Sequence, residues 1–210
     1  MIELELKYKL SILPQVFSDF ERIKKKEQSD IYYDTKNYDL LRAGNFLRVR
    51  NGKKIDFKMD IDDETHLFCL ETSFFVDEIN KKMEEIEKTM HELGIDKGVQ
   101  YADLNEFITK NELEVLAVIS KERSSYQLNT DTTLSIDNVE DLGLYLEIET
   151  LIEAGELQKD EAEKYKEKLI EVLNIKGIIS DKDEIVNIGY VELYLQKYNM
   201  EAYKLGKFQE

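Results

Sequence analysis

Apolar and charged residues alternate strictly along the first ten residues of the chain. Apolar side chains occupy the even positions from Ile2 to Leu10, and the odd positions from Glu3 to Lys9 are all charged. Because successive side chains of a β-strand point to opposite faces, this pattern predicts a strand with one apolar face and one charged face.

Strand and helix patterns share the rest of the chain. Further strands are predicted over 31–35, 46–51, 54–60, 67–76, 115–123, 125–129, 133–138 and 144–150. Apolar residues at helical spacing predict helices over 13–27, 79–93, 100–111 and 156–173, and part of the tail beyond Asp183. These elements together predict the α+β class.

Charged residues occupy equivalent positions in several of the predicted strands, opposite the apolar face. The bases are Lys7, Arg48, Arg50, Lys58, Lys121 and Arg123. The acids are Glu3, Glu5, Glu71, Asp137, Glu147 and Glu149. One interpretation is an open sheet whose charged face is solvated, where each exposed pair adds only about a few tenths of a kcal/mol.

Two features favour a sheet whose charged face is turned inward. The opposite face is apolar, and several amphipathic helices are available to cover it, while closure of the sheet would also remove its edges. In addition, like charges recur two residues apart, as Glu-x-Glu twice, Arg-x-Arg once and Lys-x-Arg once.

Composition and charge narrow the function classes. The chain has 210 residues, which suits one domain, and its net charge of −16 makes nucleic acid or an anionic membrane surface a poor partner. A single cysteine, no run of bilayer length and no signal-like leader predict a cytoplasmic protein.

A charged interior of mixed sign suits a polyphosphate bound together with a divalent cation. Arginines bind phosphate oxygens in a bidentate manner, whereas lysines act as point charges. Carboxylates two residues apart on a strand present hard oxygen ligands side by side, which suit Mg²⁺ or Mn²⁺.

The ordered motifs resemble those of the CYTH superfamily, also called the triphosphate tunnel metalloenzymes. They run from Glu3-Leu4-Glu5-Leu6-Lys7 over about residues 1–150. The others are Tyr32-Tyr33-Asp34-Thr35, Leu41 to Gly44, Leu47-Arg48-Val49-Arg50, Lys58, Glu71, Lys121-Glu122-Arg123, Asp137 and Glu147-Ile148-Glu149.

This resemblance implies a fold and a set of activities. The expected fold is a closed eight-stranded antiparallel β-tunnel with surrounding helices, formed by a single domain over 1–210 with a helical C-terminal segment from about 156. Known activities of the superfamily include inorganic triphosphatase, thiamine triphosphatase, RNA triphosphatase and class IV adenylate cyclase.

The resemblance also assigns roles to individual residues. It implies metal binding by Glu3, Glu5, Glu71, Asp137, Glu147 and Glu149, and triphosphate binding by Lys7, Arg48, Arg50, Lys58, Lys121 and Arg123. The predicted catalytic residues are Glu5, Lys58 and Arg123. The expected reaction is hydrolysis of inorganic triphosphate or a small organic triphosphate with Mg²⁺ or Mn²⁺. Formation of cyclic AMP from ATP and a non-catalytic polyphosphate or nucleotide sensor are the alternatives.

Overall fold

The alternating N-terminal segment forms strand β1 (Ile2–Lys9) in the computed structural model. The structure describes residues 2–60, 68–152 and 159–208, with side chains over 4–59, 70–150 and 164–208. Leu4 and Leu6 are buried on the apolar face, and Lys7 on the charged face is only 6% exposed. The charged face at Lys7 is therefore not the solvated surface of an open sheet.

Eight further strands follow along the described chain. They are β2 (Arg22–Thr35), β3 (Phe46–Arg50), β4 (Lys54–Asp60), β5 (Phe68–Phe75), β6 (Leu113–Gln127), β7 (Thr132–Val139), β8 (Gly143–Ile152) and β9 (Glu184–Ile185). The α-helices are α1 (Asp39–Ala43), α2 (Met83–Glu92), α3 (Leu104–Lys110), α4 (Lys159–Ile175), α5 (Tyr190–Tyr198) and α6 (Met200–Tyr203).

The nine strands form an antiparallel sheet, and the chain divides into two compact units. The first unit is Met1–Glu27 with Lys121–Asn187, and the second is Gln28–Ser120 with Ile188–Glu210. The strand order is β6-β7-β8-β1-β9 in the first unit and β5-β4-β3-β2 in the second, except that residues 22–27 of β2 belong to the first unit and residues 113–120 of β6 to the second. That residues 1–210 form a single domain stays a prediction.

Helices cover the apolar face of the sheet in the second unit. Leu47, Ile55 and Phe57 on the strands belong to one buried cluster with Ile86 of α2 and Phe107 of α3. Burial of these apolar side chains is the main favourable term in the folding of this unit. It leaves the opposite strand positions to the charged residues.

The prediction of a helix over 13–27 is wrong. A short 3₁₀ helix at Gln15–Ser18 is followed by β2, which begins at Arg22. Phe17 packs against Tyr126 with 4.9 Å between the ring centroids, whereas Ile23 is 53% exposed. The apolar spacing therefore reflects a local turn, and sheet pairing overrides helical periodicity in this segment.

Two other strand predictions differ from the structure. The predicted strands 115–123 and 125–129 are one continuous strand, β6, and the two-residue β9 pairs with Tyr8 and Lys9 of β1 without having been predicted. Neither difference changes the side-chain parity of the charged positions. None of the described helices has the length and apolar character needed to cross a bilayer.

Candidate functional site

In the first unit, strand register aligns the polar side chains of four strands in rows. From β6 through β7 and β8 to β1, the rows are Gln127, Thr133, Glu149 and Glu5; then Ser125, Ser135, Glu147 and Lys7; then Arg123, Asp137, Tyr145 and Lys9. We use the name acid-rich cluster for Glu5, Lys7, Lys121, Arg123, Asp137, Glu147 and Glu149.

Arg123 is the centre of the acid-rich cluster. Its Nε donates to Asp137 Oδ1 at 2.6 Å, and its Nη1 donates to Glu149 Oε1 at 3.2 Å. Its Nη2 donates to Asp137 Oδ2 at 2.5 Å and also to Glu147. One guanidinium therefore holds three carboxylates from two neighbouring strands.

Asp137 is fully buried, and both of its oxygens accept hydrogen bonds from cations. Besides Arg123, Lys121 Nζ donates to Asp137 Oδ2 at 2.7 Å. This arrangement suits a carboxylate that orients two basic side chains. The resemblance assigns metal binding to Asp137, and that role stays a prediction.

Burial and neighbouring charges shift several pKa values in the acid-rich cluster. Burial lowers the pKa of Lys121, although Glu147 and Asp137 counteract this effect. Burial alone would also lower the pKa of Arg123, but Glu147 and Asp137 raise it above its usual range. Burial and the charge of Glu147 raise the pKa of Glu149.

The carboxylates near β1 have the chemistry of a hard-cation site. Glu5 and Glu149 are cross-strand partners, and Lys7 Nζ lies 3.1 Å from Glu5 Oε1 and 3.8 Å from Glu147 Oε1. Carboxylate oxygens are the ligands that Mg²⁺ and Mn²⁺ prefer. In the described part of the chain, no three His, Cys, Asp or Glu side chains are arranged to hold a metal ion. The carboxylates thus have the oxygen chemistry that a divalent cation requires but not the arrangement, and in this structure they pair with Lys7 and Arg123.

The second unit contains a second charged cluster with the opposite balance. We use the name base-rich cluster for its four bases and three acids, which are Arg48, Arg50, Lys54, Lys58, Asp30, Asp56 and Glu71. Cross-strand register sets Arg50 opposite Asp30 and Lys54, Arg48 opposite Asp56, and Lys58 opposite Glu71.

Two buried aspartates hold the arginines of the base-rich cluster. Arg50 donates from Nε and Nη2 to the two oxygens of Asp30, at 2.8 and 3.0 Å. Arg48 Nε donates to Asp56 Oδ2 at 2.9 Å, and Lys54 Nζ lies 2.8 Å from Asp56 Oδ1. These contacts fix the guanidinium groups before any ligand binds, which lowers the entropy lost on binding.

Asp56 remains ionised despite its burial. Burial alone would raise its pKa, but Arg48, Lys54 and Ser73 together lower the pKa of Asp56 to about 2. Burial alone would lower the pKa of Arg48, but nearby groups raise it well above its usual value. These groups are Tyr32, Asp30, Glu71 and Asp56. Arg48 is thus a permanent cation at every physiological pH.

The structure brings the predicted site residues together in these two clusters. Glu5, Lys7, Lys121, Arg123, Asp137, Glu147 and Glu149 lie in the first, and Arg48, Arg50, Lys58 and Glu71 in the second. The side chain of Glu3 lies outside the described residues. The roles assigned to these residues stay predictions.

Sequence reasoning missed the two aspartates that hold the arginines. Asp30 was left out because the predicted strand began at Ile31, one residue too late to include it. Asp56 shares the parity of Lys54 and Lys58 between two apolar residues, so the alternation itself could have identified it. Ser125 and Ser135, whose hydroxyls lie 3.1 Å apart in the middle row of the acid-rich cluster, were missed as well.

Known proteins resemble this chain over nearly its whole length. The sequence profile of the CYTH domain matches residues 1–194. A Methanocaldococcus jannaschii protein, whose name assigns it provisionally to the adenylate cyclases, is 31% identical over 198 residues, covering 92% of this chain and 98% of that protein.

Solved structures show the same fold. A Pyrococcus horikoshii protein is 26% identical, with a TM-score of 0.63, and the match covers 93% of this chain and 99% of that one. A Hippeastrum adenylyl cyclase candidate, described as having a dominant triphosphatase activity, has a TM-score of 0.58 at 19% identity, covering 93% and 95%. At that identity the likeness shows the fold alone.

The comparisons agree with the ordered motifs and with the antiparallel sheet. The predicted α+β class, with an antiparallel sheet and surrounding helices, is confirmed. The described residues form nine strands rather than the expected eight, and the closed tunnel stays a prediction. Because the CYTH profile covers residues 1–194 and a relative named for adenylate cyclase is 31% identical over almost the whole chain, this chain belongs to the CYTH domain family.

Proposed function

We propose that this chain hydrolyses a triphosphate, either inorganic triphosphate or a small organic triphosphate, with the help of Mg²⁺ or Mn²⁺. The observation that supports it best is the pair of partly buried charged clusters, one rich in bases and one rich in acids, in a CYTH chain. Burying so many charges is costly unless they are paired, and a bound polyanion with its cation supplies further pairing.

The base-rich cluster would bind the phosphoryl groups. Arg48 and Arg50 are oriented by Asp56 and Asp30, so their remaining N–H groups can donate to phosphate oxygens without reorganisation. Lys58, at the next charged position of β4, would add a compact positive charge. These cations would neutralise the charge that develops on the transferred phosphoryl group.

The acid-rich cluster would hold the divalent cation. Glu5, Glu147 and Glu149, together with Glu3, would supply its oxygen ligands, and Glu71 and Asp137 remain further predicted ligands. When bound, the cation supplies charge neutralisation and lowers the pKa of water. Arg123 and Lys121, oriented by Asp137, would bind phosphoryl oxygens, and Glu5, Lys58 and Arg123 stay the proposed catalytic residues.

Cyclic AMP formation is the second candidate, and the name of the 31% identical M. jannaschii relative favours it. The third candidate is a sensor that binds polyphosphate or a nucleotide without turnover.

The proposed partner is a small molecule in the cytoplasm. The net charge of the chain, −16, disfavours nucleic acid or a membrane as the partner.

The products distinguish the three candidates. Incubation with Mg²⁺ or Mn²⁺ should release orthophosphate from inorganic triphosphate faster than cyclic AMP forms from ATP, because hydrolysis needs only the triphosphate to be held. The products are separated by ion-exchange chromatography, and a chelator should abolish turnover. Cyclic AMP as the main product would favour the cyclase, and binding without any product would favour the sensor.

Arg50→Ala should weaken triphosphate binding at least about tenfold, since it removes charge-assisted hydrogen bonds. Arg50→Lys should restore only part of the affinity, because an ammonium cannot bind bidentately. Lys9→Ala, at an exposed position at the end of β1, is the control and should bind nearly as tightly as the parent. Calorimetry with inorganic triphosphate measures this, and equal affinities of Arg50→Ala and the parent would contradict the assignment.

A further inference from the structure

The side-chain amide of Gln28 is buried without hydrogen bonds. Gln28 is 3% exposed, and within the described chain neither its Oε1 nor its Nε2 has a hydrogen-bond partner. A buried amide that makes no hydrogen bond loses its contacts with water and gains nothing in return. Such a group in a folded protein calls for a specific explanation.

Two other buried side-chain atoms also lack partners in the described residues, but their positions differ. The hydroxyl of Tyr101 belongs to the apolar cluster beneath the helices. Asn111 uses half of its amide, since its Nδ2 donates to Phe107 O at 2.9 Å. Gln28 is thus the described residue in which a whole amide is unused, and it does not lie in the apolar core.

Gln28 lies beside the base-rich cluster. It shares the β2 face of Asp30, which is two residues away, or about 7 Å along a strand. Asp30 in turn holds Arg50 through two hydrogen bonds. The neighbouring Ser29 pairs with Asn51, whose backbone N donates to Ser29 O at 2.8 Å and whose Oδ1 accepts from Ser29 N at 2.8 Å. These bonds fix the strand at Gln28 relative to Arg50.

The chemistry of an amide is not matched by a phosphate alone. An ionised triphosphate offers only acceptors, so it could satisfy Nε2 of Gln28 but would leave the carbonyl oxygen Oε1 without a donor. A hydroxyl group donates one hydrogen bond and accepts others at the same atom, so it can satisfy both halves of the amide.

We propose that Gln28 is a specificity-determining residue that binds a hydroxyl on the organic part of a triphosphate ester, next to the phosphoryl group bound by Arg50. The proposal rests on the triphosphate site described above and narrows its substrate class. It favours triphosphate esters whose organic part carries a further hydroxyl group, such as nucleoside triphosphates, over inorganic triphosphate. A sugar hydroxyl lies only a few bonds from the phosphate chain, in keeping with the position of Gln28 two residues along β2 from Asp30, the partner of Arg50.

The test compares three ligands that differ in one feature each, namely inorganic triphosphate, ATP and 2′,3′-dideoxy-ATP. Their affinities are measured by calorimetry with a chelator present, so that turnover does not interfere. The parent should bind ATP about tenfold more tightly than dideoxy-ATP, the effect of one or two hydrogen bonds to neutral groups. Gln28→Met, which keeps the shape of the side chain, should lose this preference and keep its affinity for inorganic triphosphate within about twofold.

Two further variants make the experiment decisive. Gln28→Asn keeps the amide but shortens its reach, so it should also lose the preference, and it tests the proposal if Gln28→Met does not fold. Gln15→Met, at an exposed position, is the matched control and should behave as the parent.

Each remaining outcome is informative. The proposal would be overturned if the Gln28 variants still preferred ATP over dideoxy-ATP. It would also be overturned if the parent bound inorganic triphosphate well but did not distinguish ATP from dideoxy-ATP. An equal loss of affinity for all three ligands in Gln28→Met would make Gln28 a structural residue and overturn it too. Failure of the parent to bind any of the three would instead refute phosphate binding by the base-rich cluster, on which the proposed function relies, and with it this inference.

Discussion

Glu149→Gln should lower the rate of triphosphate hydrolysis at least about a hundredfold, a loss comparable with that of a major electrostatic contribution to catalysis. The substitution keeps the size and shape of the side chain but removes an anionic oxygen. Glu149 lies opposite Glu5 on β1 and within reach of Arg123, so the missing charge falls at the centre of the proposed cation site. Glu5→Gln should have a similar effect for the same reason.

The matched control for these variants is Glu122→Gln. Glu122 lies on β6 but on the opposite face from Arg123, and it forms an exposed pair with Lys25 at 2.8 Å. An exposed pair of this kind contributes little, so the variant should keep nearly full activity. Orthophosphate release is measured over a range of Mn²⁺ concentrations, and Mn²⁺ affinity is measured by calorimetry. Unchanged Mn²⁺ affinity in both Glu5→Gln and Glu149→Gln would refute the metal assignment.

The charged residues of the site could be predicted from the sequence because strand parity is a strict geometric rule. Once Leu4 and Leu6 are assigned to the core, Glu5 and Lys7 must lie on the other face. The same argument places Glu147 and Glu149 on one face of β8. Sequence alone could not give the register between strands, which decides that Glu5 meets Glu149 and that Lys7 meets Glu147.

The partners of the basic residues were harder to predict than the basic residues themselves. Asp30 was missed because the start of β2 was predicted nine residues too late, at Ile31 instead of Arg22. The start of β2 depends on pairing with neighbouring strands, and the local apolar pattern of residues 13–27 gives no information about that pairing. The unused amide of Gln28 is likewise visible only when the neighbours of the side chain are known.

The two clusters also differ in how their charges are compensated. In the base-rich cluster, Asp30 and Asp56 each bind arginine through well-formed hydrogen bonds, and the pKa of Asp56 is lowered by its neighbours. In the acid-rich cluster, the single guanidinium of Arg123 donates to three carboxylates, and burial raises the pKa of Glu149. An additional cation would therefore stabilise the acid-rich cluster, whereas an anion suits the base-rich one.

Arg123→Met should destabilise the folded chain by about 3–5 kcal/mol, the usual cost of leaving buried charges without their partner. Arg123 is 8% exposed and donates to Asp137, Glu147 and Glu149, so methionine fills part of the space but leaves three carboxylates without their guanidinium. Urea denaturation followed by circular dichroism measures the free energy of unfolding.

A second substitution tests the cause of that loss. If uncompensated charge is the reason, Arg123→Met combined with Asp137→Asn should be more stable than Arg123→Met alone, since the fully buried carboxylate is then neutral. Lys25→Met removes the exposed partner of Glu122 and serves as the control, with an expected loss below about 1 kcal/mol. A loss in Arg123→Met no larger than that in Lys25→Met would show that Arg123 does not hold the acid-rich cluster together.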